Sequence, residues 1–524
     1  MWADLVLMDG NVLTMDLSQP SAEAIAVKKD RIAKVGTNKE ISPWIGKTTK
    51  VINLQGRTVV PGLTDSHIHV GDFGKYLMWI DLKDANSVEE MQRKIRERAQ
   101  KISKERWIIG SGWDQIRFAE KRYPNRRDLD EASPDNPVIL YHQCGRVCVV
   151  NSKALELAGV TKETKSPSGG KIEKDAESGE PTGILREKAT DLVWKTIPEP
   201  SEEEVMEGAS LACKKIVEAG VTSIHWIVAS LTEVQIIQRL CAENKLPLHV
   251  YTIIPANLLD QTNSSGSGDN TDRNLGVKVF VDGSLAARTA ALREPYSDDP
   301  ESKGQLLYSQ QKLNTLVAKV HKANLSLVMH AMGDQAIDMA LTAIEKALME
   351  APRKDHRYRL EHASVLNSKL IQRIKKLGML VSVQPKCVIS EFLVWSAVDR
   401  LGSERARWLY PLKTLIKEGI RVVGGSDCPM EPLNPLTGMQ SAATREFSKE
   451  RVTVEDALRL YTVNAAYATS EEGSKGSLEE GKLADLIVLS NDPTTVATDK
   501  IVSIKVELTI IGGKVLYQRK TIPN

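Results

Sequence analysis

Short apolar runs recur along the middle of the chain, and most are followed by a stretch whose apolar positions fall three and four residues apart. The runs cover residues 59–69, 221–227, 248–254, 277–282, 325–329, 358–362, 380–384 and 420–424. Helical spacing follows at 232–243, 309–323, 336–348, 368–376 and 406–418. Near-continuous apolar strands are those covered on both faces, so strands of this kind alternating with helices predict a parallel sheet. Eight such units predict an α/β chain closed into a (β/α)8 TIM barrel.

The two chain ends read differently. Segments 3–8, 12–15, 24–27 and 32–35 are separated by turn-forming Asp9-Gly10-Asn11 and Lys29-Asp30-Arg31; segments 484–489, 501–511 and 515–517 repeat the style around Gly512-Gly513. Hairpin signals at both ends, whose termini can lie together, predict one small β-sandwich made from residues 1–58 and 470–524. The barrel then takes 59–71 and 210–469. Residues 72–209 are too many for a loop, which predicts a subdomain inserted after the first barrel strand, on the face where loops cover an active site. The one low-complexity stretch, 263–270, is rich in Ser and Gly and reads as a flexible loop.

The first run ends in Thr64-Asp65-Ser66-His67-Ile68-His69. Residues two apart on a strand face the same side, so His67 and His69 can bind one cation together. A lone His-x-His is a weak signal. Support comes from His330 after the fifth run, His362 at the end of the sixth, and Asp427 in Gly425-Ser426-Asp427 after the eighth. Strand C-termini of a barrel form one ring, so these side chains converge on one cavity and predict a metal site. Lys278 lies inside the fourth run. A lysine turned into a barrel loses its hydration, which leaves two readings: an ion pair with Asp282, which has the same strand parity, or a neutral amine that has captured carbon dioxide as a carbamate bridging two cations.

Charge narrows the partners. With 70 basic against 68 acidic residues and no basic block, neither a nucleic acid nor a membrane is expected, and a small-molecule substrate is. No run reaches the roughly 18 apolar residues of a membrane span, and Met1 to Gly10 does not read as a leader, so the expected location is cytoplasmic. Six cysteines do not make a disulfide framework in so long a chain. Cys144 and Cys148 have a spacing that can share a metal but no second thiol pair beside them, so buried free thiols are expected. A homodimer is the base-rate oligomer.

The whole constellation, His67-x-His69, Lys278, His330, His362 and Asp427 in that order along the strands, resembles the binuclear amidohydrolase superfamily. Further matches are Pro61-Gly62-Leu63-Thr64-Asp65, Gly112-Trp113-Asp114-Gln115, Asn151-Ser152-Lys153-Ala154-Leu155, Asp282-Gly283-Ser284, His330-Ala331-Met332-Gly333-Asp334, Glu361-His362-Ala363 and Gly481-Lys482-Leu483-Ala484-Asp485. Together they resemble the branch that includes N-substituted formamide deformylases. The resemblance implies two divalent metal ions, zinc being well suited to imidazole and carboxylate ligands. His67, His69 and Asp427 would hold the more buried ion, His330 and His362 the second, and carboxylated Lys278 would bridge them. It also implies that Asp427 is the catalytic acid and base in hydrolysis of a C–N bond of an amide, formamide or cyclic amide.

Two positions depart from the branch, which commonly has Gly-His at Gly145-Arg146 and Gly at Ala286. Both lie in segments expected to touch substrate. Candidate substrate contacts are Trp113, Asp114, Gln115, His142 and Arg146 in the insertion, and His225, Asp282 and Arg288 on the barrel. The same ligands permit a hydrolase of lactones or phosphate esters, and a non-catalytic interaction protein on the same barrel is the reading from another class.

Overall fold

The computed structural model of the protein describes residues 2–261, 275–387, 397–445 and 447–520. The Ser/Gly-rich segment 263–270 lies outside the described residues. Eight parallel strands form one sheet in chain order: Leu63–Ile68, Val221–Ile227, His249–Pro255, Leu275–Phe280, Ser326–Ala331, Arg359–His362, Leu380–Val383 and Val422–Gly424. Each pairs with the next. Closure comes from the turn after the eighth strand, where Asp427 N donates to His67 O at 2.7 Å and His69 N donates to Cys428 O at 3.0 Å. The (β/α)8 architecture expected from the alternation is the one observed.

Helices pack outside this sheet for legible reasons. In Ser368–Lys376 the buried residues Leu370, Ile371 and Ile374 make one stripe, Asn367 caps the start, and Arg373, Lys375 and Lys376 crowd the last turn, where the helix dipole is negative. Asp334–Glu350 and Gln310–Lys322 bury similar stripes.

The run read as one strand over 59–69 is two. Thr58–Pro61 pairs with Leu486–Leu489 and Asn11–Leu13 in a six-stranded sheet, and the barrel begins only at Leu63. The break falls at Gly62, where a Cβ would stand 2.2 Å from Thr222 Oγ1. That sheet, in the order Lys514–Gln518, Val506–Ile511, Leu486–Leu489, Thr58–Pro61, Asn11–Leu13 and Ser21–Ala22, faces a second of four strands, Arg31–Gly36, Ala24–Lys28, Leu5–Met8 and Lys50–Asn53. Leu7, Ile25 and Val27 of one sheet share a core with Val59, Leu486, Val488 and Ile510 of the other. Segment 501–511 is a 3₁₀ turn, Thr498–Ser503, followed by a strand from Val506.

Residues Gly74–Gly208 make a compact unit of their own. Its six-stranded mixed sheet runs Gly170–Lys174, Pro181–Glu187, Val147–Val150, Val138–His142, Ile108–Trp113 and Ile80–Asp81. Asn151 has a structural task there: its Oδ1 accepts from Val138 N and Ala154 N, and its Nδ2 donates to Ser133 O and Asn136 O. All six cysteines are free. Cys148 is buried as expected, but Cys144 is exposed in the turn after Val138–His142. Among the described residues no helix is long and apolar enough to cross a membrane.

Closure depends on Gly425, where a Cβ would lie 2.6 Å from both Cβ and N of His67. Gly425→Ala should therefore cost about 1–3 kcal/mol in urea unfolding, whereas Gly473→Ala, with open space around the position, should change the midpoint little. Equal midpoints for the two variants would contradict this account of closure.

Candidate metal centre

The C-terminal ends of the strands bring the ring together. Ligand atoms of His67, His362 and Asp427 all lie within 4.8 Å of one another. Asp427 Oδ1 stands 3.3 Å from His67 Nε2 and 3.3 Å from His69 Nε2. Lys278 Nζ is 3.4 Å from His67 Nε2, and the His330 ring lies 4.6 Å from that of His362. All six residues singled out as metal ligands thus share one cluster. Two of them hold unusual backbone: His362 has φ 69° and Asp427 φ 61°, left-handed conformations that cost a non-glycine residue free energy and concentrate at functional sites.

Electrostatics favour a cation here. Burial would raise the Asp427 carboxyl, but His67 and His362 beside it and the hydrogen bonds from His67 and His69 hold it well below the usual carboxylate range. Burial, with Lys278 adding to it, pushes His330 down to about 4. Burial and the neighbouring His330 hold His362 well below its ordinary value. Both rings are neutral at neutral pH, the form that binds a metal. Burial likewise pulls Lys278 down to about 8, against the opposing pull of Glu361 and Asp427. Burial and Lys278 lower His67, yet Glu361 and Asp427 overcome both and raise it, so the pocket stabilises positive charge at this spot.

The sequence reading missed Glu361 and Arg359. His67 Nδ1 donates to Glu361 Oε2, which leaves Nε2 turned toward Asp427 and Lys278. Glu361 has no exposed surface, and its other oxygen lies 2.5 Å from Arg359 Nε. Arg359 continues to His225 Nδ1 at 2.7 Å and to Ser66 O at 3.0 Å. Two opposite charges of like parity, Arg359 and Glu361, on a strand expected to be covered on both faces were the available signal: only a paired, interior-facing role makes them tolerable there.

The other candidates are placed as follows. His225 is buried and accepts from Arg359, neutral because burial and that guanidinium disfavour its charge. Asp282 does not pair with Lys278: its carboxylate accepts from the backbone N–H groups of Ala291, Met332 and Gly333 at 2.8–3.0 Å. The ion-pair reading of Lys278 is thereby replaced by contact with His67. Arg288 binds Asp298 at 2.9 Å. Trp113, Asp114, Gln115, His142 and Arg146 belong to the Gly74–Gly208 unit. Trp113 is fully buried with Nε1 donating to Leu140 O, Asp114 accepts from Ile116 N and Gln143 Nε2, and His142 Nε2 lies 3.7 Å from Asp114. Gln115 Oε1 is buried without a hydrogen-bond partner among the described residues, and Arg146 is exposed beside Glu187.

A carboxylate on the far nitrogen of a ligating imidazole fixes its tautomer, and losing such a partner weakens metal affinity by about 10–100-fold. Glu361→Gln, titrated with Zn²⁺ and followed by competition with a chelating dye, should show a loss in that range. Unchanged affinity in folded Glu361→Gln would deny it the orienting role.

A family model described as "Amidohydrolase family" matches residues 50–517. YtcJ of Bacillus subtilis is 34% identical, over 97% of this chain and 98% of its own length. An N-substituted formamide deformylase of Arthrobacter pascens is 29% identical over 98% of each. The crystal structure of an uncharacterized metal-dependent hydrolase from Pyrococcus furiosus superposes with a TM-score of 0.76 at 31% identity, over 94% of this chain and all of that one. Matched in sequence and in fold along nearly its whole length, the chain belongs to the amidohydrolase family.

Proposed function

We propose that this protein hydrolyses a C–N bond of an amide, formamide or cyclic amide in a small molecule, with two divalent metal ions, zinc in the first place, at the barrel mouth. The observation that carries the reading is the convergence of His67, His362 and Asp427 within 4.8 Å, with His69, Lys278 and His330 beside them. Neutral imidazoles at His330 and His362 and an ionised carboxylate at Asp427 suit a divalent cation chemically. His67, His69 and Asp427 would hold one ion and His330 and His362 the other. Such ions, when bound, supply Lewis acidity and make a coordinated water acidic enough to ionise near neutral pH.

The remaining work belongs to the chain. Asp427, ionised and within 3.3 Å of two imidazoles, takes the proton of the attacking water on a carboxylate oxygen and hands it to the leaving nitrogen. Glu361 keeps His67 in the tautomer that offers Nε2. Burial pulls Lys278 down to about 8, which enlarges the share of free amine able to add to carbon dioxide, giving a carbamate and releasing a proton. The deformylase among the relatives supports the C–N assignment, since the bond its name describes is a formamide.

Metal analysis of the purified protein should find about two equivalents, because six ligands exceed the three or four one ion needs. Assayed on formamides, N-acyl amino acids, cyclic amides, lactones and phosphotriesters, it should turn over a C–N substrate in a metal-dependent way. Asp427→Asn should then lose about 10²–10⁴-fold in kcat with its fold intact. Turnover confined to lactones or phosphotriesters would overturn the bond assignment, and wild-type turnover in Asp427→Asn would overturn the proton role.

Lys278→Ala should lose both metal and activity, and a short carboxylic acid filling the vacated space should restore part of each. Normal metal content and turnover in Lys278→Ala would rule out a bridging lysine and leave a single ion on His67, His69 and Asp427.

A further inference from the structure

The Gly74–Gly208 unit has a cavity of about 830 Å³ that the metal site does not account for. Its lining mixes large aromatic rings with polar side chains, Ser111, His142 and Gln143 among them. Tyr76, Trp79, Tyr141 and Trp194 all line it, though they stand far apart in sequence. The Trp79 and Tyr141 planes lie within 15° of each other with centroids 6.5 Å apart. Trp194 stands at 70° to both, 6.0 Å from the one and 5.9 Å from the other. Each of the three rings thus packs against the other two, and together they make one continuous aromatic patch on the lining.

These rings are not spare core. The unit has two apolar cores, one around Met91, Ile108 and Trp113 and the other around Ile139, Val150 and Leu185, and Tyr76, Trp79 and Trp194 are in neither. Tyr76 remains 43% and Trp194 42% exposed in the chain. Clustered large rings left facing water mark an interaction site, because burying them would stabilise the fold. The volume is that of a small-molecule site, which is commonly lined by apolar and aromatic side chains. Charge settles the class of ligand: Lys83 and Arg117 on the lining are balanced by Asp84 and Asp191, so no net field selects an anion or a cation. The selecting surface is then the aromatic rings, with Ser111 and Gln143 as neutral polar groups beside them.

We propose that this cavity binds a small neutral molecule bearing a planar aromatic ring, seated on Trp79, Tyr141 and Trp194. Offset and edge-to-face contacts with such a ring are the arrangements aromatic quadrupoles favour. Nothing in this binding involves the six metal ligands.

The test is calorimetric titration of the purified full chain with three probes of similar size: indole, benzoate and benzyltrimethylammonium. Indole should bind saturably at one site and more tightly than either ion. Trp194→Ala, at an exposed position, should weaken indole by about fivefold or more with an unchanged thermal midpoint. Trp79→Leu, checked by circular dichroism, should do the same. No saturable indole binding, or undiminished binding in both variants, would overturn the site. Tighter binding of either charged probe would overturn the ligand class.

Discussion

A carboxylate with no exposed surface sets the terms for the interior of this barrel. Glu361 is ionised in a place where burial alone would force it neutral, and the Arg359 guanidinium and the His67 imidazole, with Lys278 adding to them, hold it there. Losing one partner from a buried ion pair typically costs about 3–5 kcal/mol, because the survivor stays charged and dry. The network therefore spreads: Arg359 needs His225 and Ser66 O, His67 needs Asp427, and the two residues that flank Glu361, Arg359 and His67, come from the sixth and first strands. A cluster this demanding is costly as a device for stability alone. It is economical as a way of aiming one imidazole nitrogen.

Backbone conformation serves the same end. His362 and Asp427 reach the cluster from strand ends in left-handed conformation, and Asp427 N donates to His67 O, so the turn that carries Asp427 is also the one that shuts the barrel. Gly425 makes that approach possible by presenting no side chain to His67. Folding and ligand placement share these few residues. Asp65 ties them further, its Oδ1 accepting from both His67 N and Ser426 N.

Most of the barrel was legible in the sequence because parallel strands buried on both faces are near-continuous apolar runs, and seven of the expected runs begin within three residues of an observed strand. The exception was 59–69, where two strands from different sheets meet at Gly62 with no polar break. Apolar continuity cannot say which sheet a residue joins. Lys50–Asn53 was missed for the opposite reason: three of its four residues are exposed, so it shows no buried face. Imidazoles at strand ends were readable because a barrel turns sequence order into a ring. Glu361 was not, because its neighbour His362 explained the motif without it.

The substrate-side residues were harder to read, and the reason is physical. Candidate metal-ligating histidines are marked by one geometry, the strand end, but a binding wall is defined only by what meets in space. Trp113 read as a substrate contact next to Asp114 and Gln115, yet the strand's alternation breaks at Gly112, with φ 99°, and turns the Trp113 ring into the core, where it packs with Phe118 and Tyr123. Tyr141, by contrast, was not singled out in the sequence, but Val138–His142 carries its last two residues to partial exposure, and the Tyr141 ring meets Trp79 and Trp194. Those partners come from helix ends, where apolar periodicity ends and says least about facing. The chemistry of this chain is therefore written in its strand termini, while its selectivity is written in contacts that no periodicity records.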